Sequence, residues 1–316
     1  TATDEVVRDA LDARPSGWAQ GPRGHAWEQV LLPVRSRRAG VTTLWSPANF
    51  GPIAVRDQVV VVHDLGPFVD AEDFDRTYRL VARAVLRGLA ARGVRFATPS
   101  RRVVHELHSV LGVDEGAVAV VPPGIGPPFS TWPLDDVGTR PRPYCVAVGL
   151  HDRRKRIDFL TALWPEVHAR TGLELHVTGR SSATTTVASA FAARQGVVLH
   201  RDPSDAQLAE LYAGALCLLW PSRYEGFGLP LLECMATGTP FLAADVGAAA
   251  ELAVDPDRQL LPLESSGWEQ AIVDLHAGDA TELGRAGVAV ARAHSWDEAA
   301  DRTAALLRDQ GGLGGA

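Results

Sequence analysis

From about residue 26 onward, short apolar runs alternate with longer stretches in which apolar positions recur every three or four residues. The short runs predict strands over Val41–Trp45, Val59–His63, Val94–Thr98 and Ala117–Val121. A second series follows over Tyr144–Val148, Leu173–Thr178, Gly196–His200, Ala215–Trp220, Pro240–Ala244 and Gln259–Leu261. Between them the helical period predicts helices over Asp75–Arg92, Arg156–Arg170, Asp205–Ala213 and Gly267–His276. Strands separated by helices of about 10–20 residues build βαβ units and parallel sheets, and these strands are too many for one compact sheet.

The segment Pro122–Pro143, PPGIGPPFSTWPLDDVGTRPRP, is rich in proline and glycine and has no apolar period, so it is the expected linker. Charge changes across it. Residues 1–140 carry 16 basic and 16 acidic side chains, whereas residues 141–316 carry 15 and 22. The expectation is therefore two Rossmann-like α/β domains, 1–140 and 141–293, facing a central cleft. Residues 294–316 add a helix that packs back on the first domain and a loose GGLGGA tail. Ligands bind beyond the carboxyl ends of open parallel sheets, which makes the cleft the default site.

The chain has 316 residues and a net charge of -7, an acidic balance that argues against a nucleic-acid partner. No apolar run approaches the roughly 18 residues of a membrane span, and the first residues lack the plan of a signal peptide. Cys145, Cys217 and Cys234 form no closely spaced pairs, so they read as buried free thiols in a cytoplasmic protein. One count stands out: of 31 basic residues only Lys155 is a lysine.

The most informative stretch is PSRYEGFGLPLLE, Pro221–Glu233. It follows the apolar run ALCLLW, so it starts where a strand ends. Gly226 and Gly228 permit a tight turn and close approach of a ligand to the backbone. Pro230 suits the first turn of a helix that runs to about Gly238. The free amides at that helix start form an anion site. Glu225 and Glu233 flank it eight residues apart. They are too far apart for a tight acid/base pair, but they can hold two ends of an elongated ligand, such as a nucleoside diphosphate sugar.

This segment resembles the E-x7-E motif of the retaining glycosyltransferases of family 4, which have the two-domain GT-B fold. The likeness continues through Ala243–Glu251, and VAVGLHDRRKRIDFL, LHVTGR, HRDPSDAQLAELYAGA and VVVVHDLGPF match other family blocks in the right order. TPSRRVVHEL and VAVVPPGI match more loosely. The resemblance implies roles for individual positions. Glu225 would bind the donor sugar's hydroxyls, helped by the amides of Phe227 and Gly228. The Leu229 amide, Lys155 and its neighbour Arg154 would hold the diphosphate. Glu233 would bind the ribose. Gly179, Arg180 and Arg201 of the HRDP loop would border the base, and His63 would face the sugar from the first domain. His63, Glu225 and Lys155 make the expected catalytic set.

Each residue also has a plainer reading: a solvated loop charge for Glu225, a helix-surface charge for Glu233, a structural histidine at His63, a solvated run Arg153–Arg156. His105, His108 and His151 are expected on the surface. Two features depart from the family. Leu150 stands where many relatives place an arginine, which leaves Arg153 or Arg154 to substitute. The family's initial strand and glycine-rich loop are not recognisable, and the expected reason is an omitted N-terminal stretch rather than a reduced acceptor domain.

The resemblance implies transfer of a hexosyl unit from a nucleoside diphosphate sugar of the GDP-mannose or UDP-glucose type to an acceptor hydroxyl, with retention. Neither cofactor nor metal is expected. The acceptor would be a glycan, a lipid-linked sugar or a small molecule. Alternatives are a nucleotide-sugar epimerase of the same architecture and a non-catalytic subunit that binds nucleotide sugar. Arg76, Arg79, Arg83 and Arg87 recur at helical spacing, so they offer either a peripheral contact with anionic lipid at the inner membrane surface or an ordinary solvated helix face.

Overall fold

The computed structural model describes residues 22–135, 137, 141–150, 152–179, 194–263, 265–278 and 280–308. His151, Arg180 and the GGLGGA tail lie outside them. The described residues form two parallel sheets. The first contains β1 (Leu44–Ser46), β2 (Gln58–Val61), β3 (Arg95–Thr98) and β4 (Val118–Val120) in sequential order. The second runs in the order β7-β6-β5-β8-β9, with β5 Tyr144–Val148, β6 Glu174–Gly179, β7 Val197–Arg201, β8 Leu218–Trp220 and β9 Phe241–Ala243. Every strand pair is parallel.

The first sheet is covered by α1 (Arg76–Ala91) and α2 (Arg101–Leu111). Asp75 caps α1 by accepting from the Thr77 and Tyr78 amides, and Ser100 caps α2 by accepting from Val103. Their apolar stripes, Leu86 and Leu89 on α1 and Val103 and Leu107 on α2, close over Val60 and Phe96. The arginine row of α1 does local work. Arg79 Nη1 donates to Ala71 O at 3.1 Å, Arg83 Nε donates to Pro67 O at 2.9 Å, and Arg83 and Arg87 each lie 5.5 Å from the Phe68 ring centroid. Arg79, Arg83 and Arg87 thus fasten the 66–74 segment, while Arg76 is exposed.

Alternation along the second sheet supplies two cores. Cys145, Ala147, Leu175 and Val177 face α3 (Ile157–Thr171) and α6 (Ser265–Ala277), against the fully buried Trp164 and Trp268. Val146, Leu218 and Trp220 face α4 (Asp205–Ala213) and α5 (Leu229–Ala236). All three cysteines are free and buried. Helix α7 (Thr281–Arg292) packs on α5, and α8 (Trp296–Arg308) reaches the first sheet, where Leu306 O accepts from Arg95 Nη1 at 2.6 Å.

Several sequence expectations are corrected. Gln259–Leu261 is not a strand. Pro256–Gln259 forms one helical turn, as Pro at an N-terminal helical position favours, and Leu260 makes only an isolated bridge to Ala243. The Val41–Trp45 strand shifts to Leu44–Ser46. The linker is not bare chain, because Ile125 and Phe129 are buried in the second core and the Ile125 amide donates to His294 O. Leu150 is buried among the core residues facing α3. Among the described residues no helix is long and apolar enough to cross a membrane.

Candidate active site

The second sheet changes direction between β5 and β8: the chain leaves β5 toward β6 and β7, then returns to β8 and β9 on the other side. The loops after β5 and β8 therefore meet beyond the carboxyl ends, where an open α/β sheet binds ligands. The first loop makes a tight turn at Arg153–Lys155; the second is Pro221–Gly228.

These loops join Lys155 to Glu225. Lys155 Nζ donates to Glu225 Oε1, and Ser222 Oγ donates to the same oxygen at 2.5 Å. The ammonium also lies 4.0 Å from the centroid of the Trp220 ring. The two side chains are 17% and 15% exposed. A pair this shielded loses hydration, and the ring face and serine hydroxyl offset part of that cost. The indole Nε1 of Trp220 is buried without a partner.

Arg154 fastens the turn. Its Nε and Nη2 donate to Asp152 Oδ1 and Oδ2 at 3.1 and 2.8 Å. Burial alone would raise the Asp152 pKa, but the Arg154 side-chain and backbone hydrogen bonds outweigh it and hold the carboxyl below its ordinary value. The Arg154 carbonyl accepts from the Arg223 amide at 2.9 Å, which ties the two loops together. The Arg154 guanidinium is thus bound to Asp152, whereas Lys155 points at Glu225.

Gly228, with φ of 105°, turns the chain into α5, and Pro230 occupies its first turn. Pro230 has no N–H and the Leu231 amide donates to Gly228 O at 2.9 Å, so the Leu229 amide is the first-turn donor that favours an anion at this end of α5. Glu233 projects from the next turn toward the second core. It accepts from the Tyr212 hydroxyl at 3.3 Å. Burial raises its pKa to about 7 against the opposing effect of that hydrogen bond, with Asp205 adding to the rise. The same burial, together with Glu233, pushes the Tyr212 hydroxyl well up. A helix-surface charge would show none of this.

His63 stands across from this loop, just beyond β2. A Cβ at Gly226 would overlap the His63 carbonyl oxygen, so only glycine lets the loop come this close. The His63 amide donates to Asn49 Oδ1, and Nε2 lies 2.6 Å from Pro47 O. A carbonyl only accepts, so Nε2 carries a proton in this contact, and the ring is exposed.

Gly179 and Arg201 are register partners at the ends of β6 and β7, one and two strands from β5. Neither shares a hydrogen bond with the Lys155–Glu225 pair, and Arg201 lines an open cleft of about 530 Å³ with Tyr144, His200 and Gln207. His105 and His108 are exposed. Among the described residues no cluster of three or more His, Cys, Asp or Glu is placed to hold a metal ion.

Sequence reasoning missed Trp220, Ser222, Tyr212 and Asp152 as partners of the charged groups. Asp152 and Ser222 stand two and three residues from Arg154 and Glu225, a spacing legible in principle. Trp220 and Tyr212 carry no local signal, since their partners come from another loop or helix.

Over residues 142–278 the chain matches the family described as glycosyl transferases group 1. It is 30% identical over 238 residues to the D-inositol 3-phosphate glycosyltransferase of Segniliparus rotundus, covering 70% of this chain and 53% of that protein. It is 23% identical over 228 residues to the O-antigen chain mannosyltransferase of Salmonella typhimurium, covering 70% of this chain and 61% of that protein. The chain thus spans little more than half the length of these relatives. A sucrose-phosphate synthase from Thermosynechococcus elongatus has the same fold, with a TM-score of 0.68, 22% identity, and coverage of 88% of this chain and 75% of that one. The two parallel sheets are those of the GT-B fold.

Proposed function

We propose that this chain binds a nucleoside diphosphate sugar beyond the carboxyl ends of β5 and β8 and transfers its hexosyl unit, with retention, to an acceptor hydroxyl on the side of the first sheet. In this reading residues 1–140 form the acceptor side, 141–293 the donor domain and 294–316 the returning helix. The carrying observation is the Lys155–Glu225 pair beside the N-terminus of α5, with Glu233 on the same helix. Four residues of helix separate Leu229 from Glu233, about 6 Å along the axis, a span suited to a diphosphate joined to a ribose.

An arriving diphosphate draws Lys155 away from Glu225. The freed carboxylate then accepts hydrogen bonds from the sugar hydroxyls and sets the anomeric carbon in place. Lys155 and the Leu229 amide of α5 stabilise the charge that grows on the departing diphosphate. The bond from the anomeric carbon to the diphosphate oxygen breaks. The acceptor oxygen bonds to that carbon on the same face, and its proton passes to the departing phosphate oxygen. Gly179 and Arg201 border the base, and His63 faces the sugar. The activities named for the relatives support a hexosyl donor of the GDP-mannose or UDP-glucose type and a hydroxyl acceptor on a sugar or cyclitol.

The test is a panel of UDP, GDP, ADP and dTDP sugars, read by thermal shift and by turnover. A donor at a hundred times its Kd raises stability by about 2.7 kcal/mol. If no sugar nucleotide stabilises the chain and none is transferred or hydrolysed, the reading is wrong.

A further inference from the structure

The loop that carries Glu225 is held from both sides. From the second domain it is tied to Arg154 and Lys155. From the first domain, Ser100 Oγ donates to Gly226 O at 2.6 Å, and Gly226 lies against the His63 carbonyl. Arg223 Nη2 reaches Asp70 and Asp73 at 3.2 and 3.1 Å, but that guanidinium is 40% exposed and such rim pairs hold little.

Tyr224 is different. It is 5% exposed, and its hydroxyl sits between two groups of the first domain. The Leu65 amide donates to it at 2.6 Å, and it donates to Glu106 Oε2 on α2 at 2.7 Å. Leu65 is fully buried, so its amide has no water to fall back on. Burial raises the pKa of the Glu106 carboxyl and, with Glu106 adding, that of the Tyr224 hydroxyl, as expected of a seam closed to solvent.

We infer that Tyr224 is a positioning residue whose hydroxyl latches the Glu225 loop to the first domain, so that Glu225 takes its working place only when the two domains are closed. Tyr224 and Glu225 are consecutive and share one rigid peptide plane. One side chain reaches Glu106 of the first domain, and the other reaches Lys155 of the second. Parting the domains pulls on Tyr224 and through it displaces Glu225. This inference rests on the reading of Glu225 as the group that orients the donor sugar.

The experiment compares Tyr224→Phe, Glu106→Leu and Glu106→Gln with the unaltered chain. Turnover is measured with UDP-glucose and GDP-mannose, calorimetry with UDP and GDP, and small-angle X-ray scattering without ligand. A glutamine oxygen accepts the tyrosine O–H as a carboxylate does, so Glu106→Gln keeps the latch. Tyr224→Phe and Glu106→Leu should each lower kcat by about tenfold or more while leaving the nucleoside diphosphate Kd within about twofold. Both should also increase the radius of gyration, and Glu106→Gln should behave as the parent. A purely structural role would lower Tm without this split between kcat and Kd. Tyr224→Phe with parental kcat and scattering overturns the inference, as does Glu106→Gln as slow as Glu106→Leu. If the parent chain turns over no sugar nucleotide, the donor-site reading fails, and the scattering comparison alone decides the latch.

Discussion

The Lys155 ammonium stands 4.0 Å from the centre of the Trp220 ring while it donates to Glu225. Its stem is packed so closely against Gly149 that a Cβ there would meet Lys155 Cγ at 2.5 Å. The slot suits a narrow stem with a compact cation. An arginine carries the same charge on a wide planar fork.

Lys155→Arg should therefore keep the fold and lower turnover by about tenfold or more, equivalent to about 1.4 kcal/mol in the barrier. Lys155→Ala should be slower still. Steady-state kinetics beside a melting curve checks both, and parental kinetics in the arginine variant would remove Lys155 from the diphosphate site.

Glu225→Ala should lower turnover about ten- to a hundredfold by removing charge-assisted bonds to the sugar. Because it also frees Lys155 from its partner, the affinity for UDP or GDP should not weaken. Calorimetry with the nucleoside diphosphate alone separates the two effects; a large loss of that affinity would place Glu225 elsewhere on the ligand.

Glu233 links the site to pH. Its folded pKa of about 7 exceeds the ordinary carboxylate value because of burial, so the folded state holds the proton more tightly than the unfolded one. Its stabilising effect is full below about pH 4.5 and is lost as pH rises through about 7. Glu233→Gln removes the buried charge, so it should flatten stability across this window and raise it at pH 8 by an amount of the order of 3 kcal/mol. The same change should weaken nucleotide binding, since an amide has one acceptor oxygen where a carboxylate has two. Denaturant melts at pH 5 and pH 8 with calorimetry at pH 8 would test it; unchanged affinity returns Glu233 to a structural role.

Gly226→Ala places a methyl group on the His63 carbonyl oxygen. The domains must part or the loop must move, and either displaces Glu225. The expected result is a loss of turnover larger than that of Tyr224→Phe, together with a larger radius of gyration in solution scattering. A variant with parental activity would show that the approach of the loop to β2 is not needed.

Local pattern made much of this protein readable from its sequence. The strand Tyr144–Val148 and the helix Asp205–Ala213 were legible to the residue, and the loop Pro221–Gly228 was placed between a strand and a helix, because each depends on neighbours within four positions. Pairing across the chain was not legible. Adjacency made Arg154 look like a second phosphate ligand, yet Asp152 captures its guanidinium. For Glu233 the sequence left a helix-surface charge as the plainer alternative to a ribose ligand, and only the packing of α4 on α5 shows that Tyr212 encloses it. The partners of Tyr224 lie 159 and 118 residues away, and the spacing around it carries no trace of them. Hydrophobic period and turn residues act over a few bonds. Which polar group meets which is decided only when the burial of separate apolar faces forces distant loops into the same dry seam.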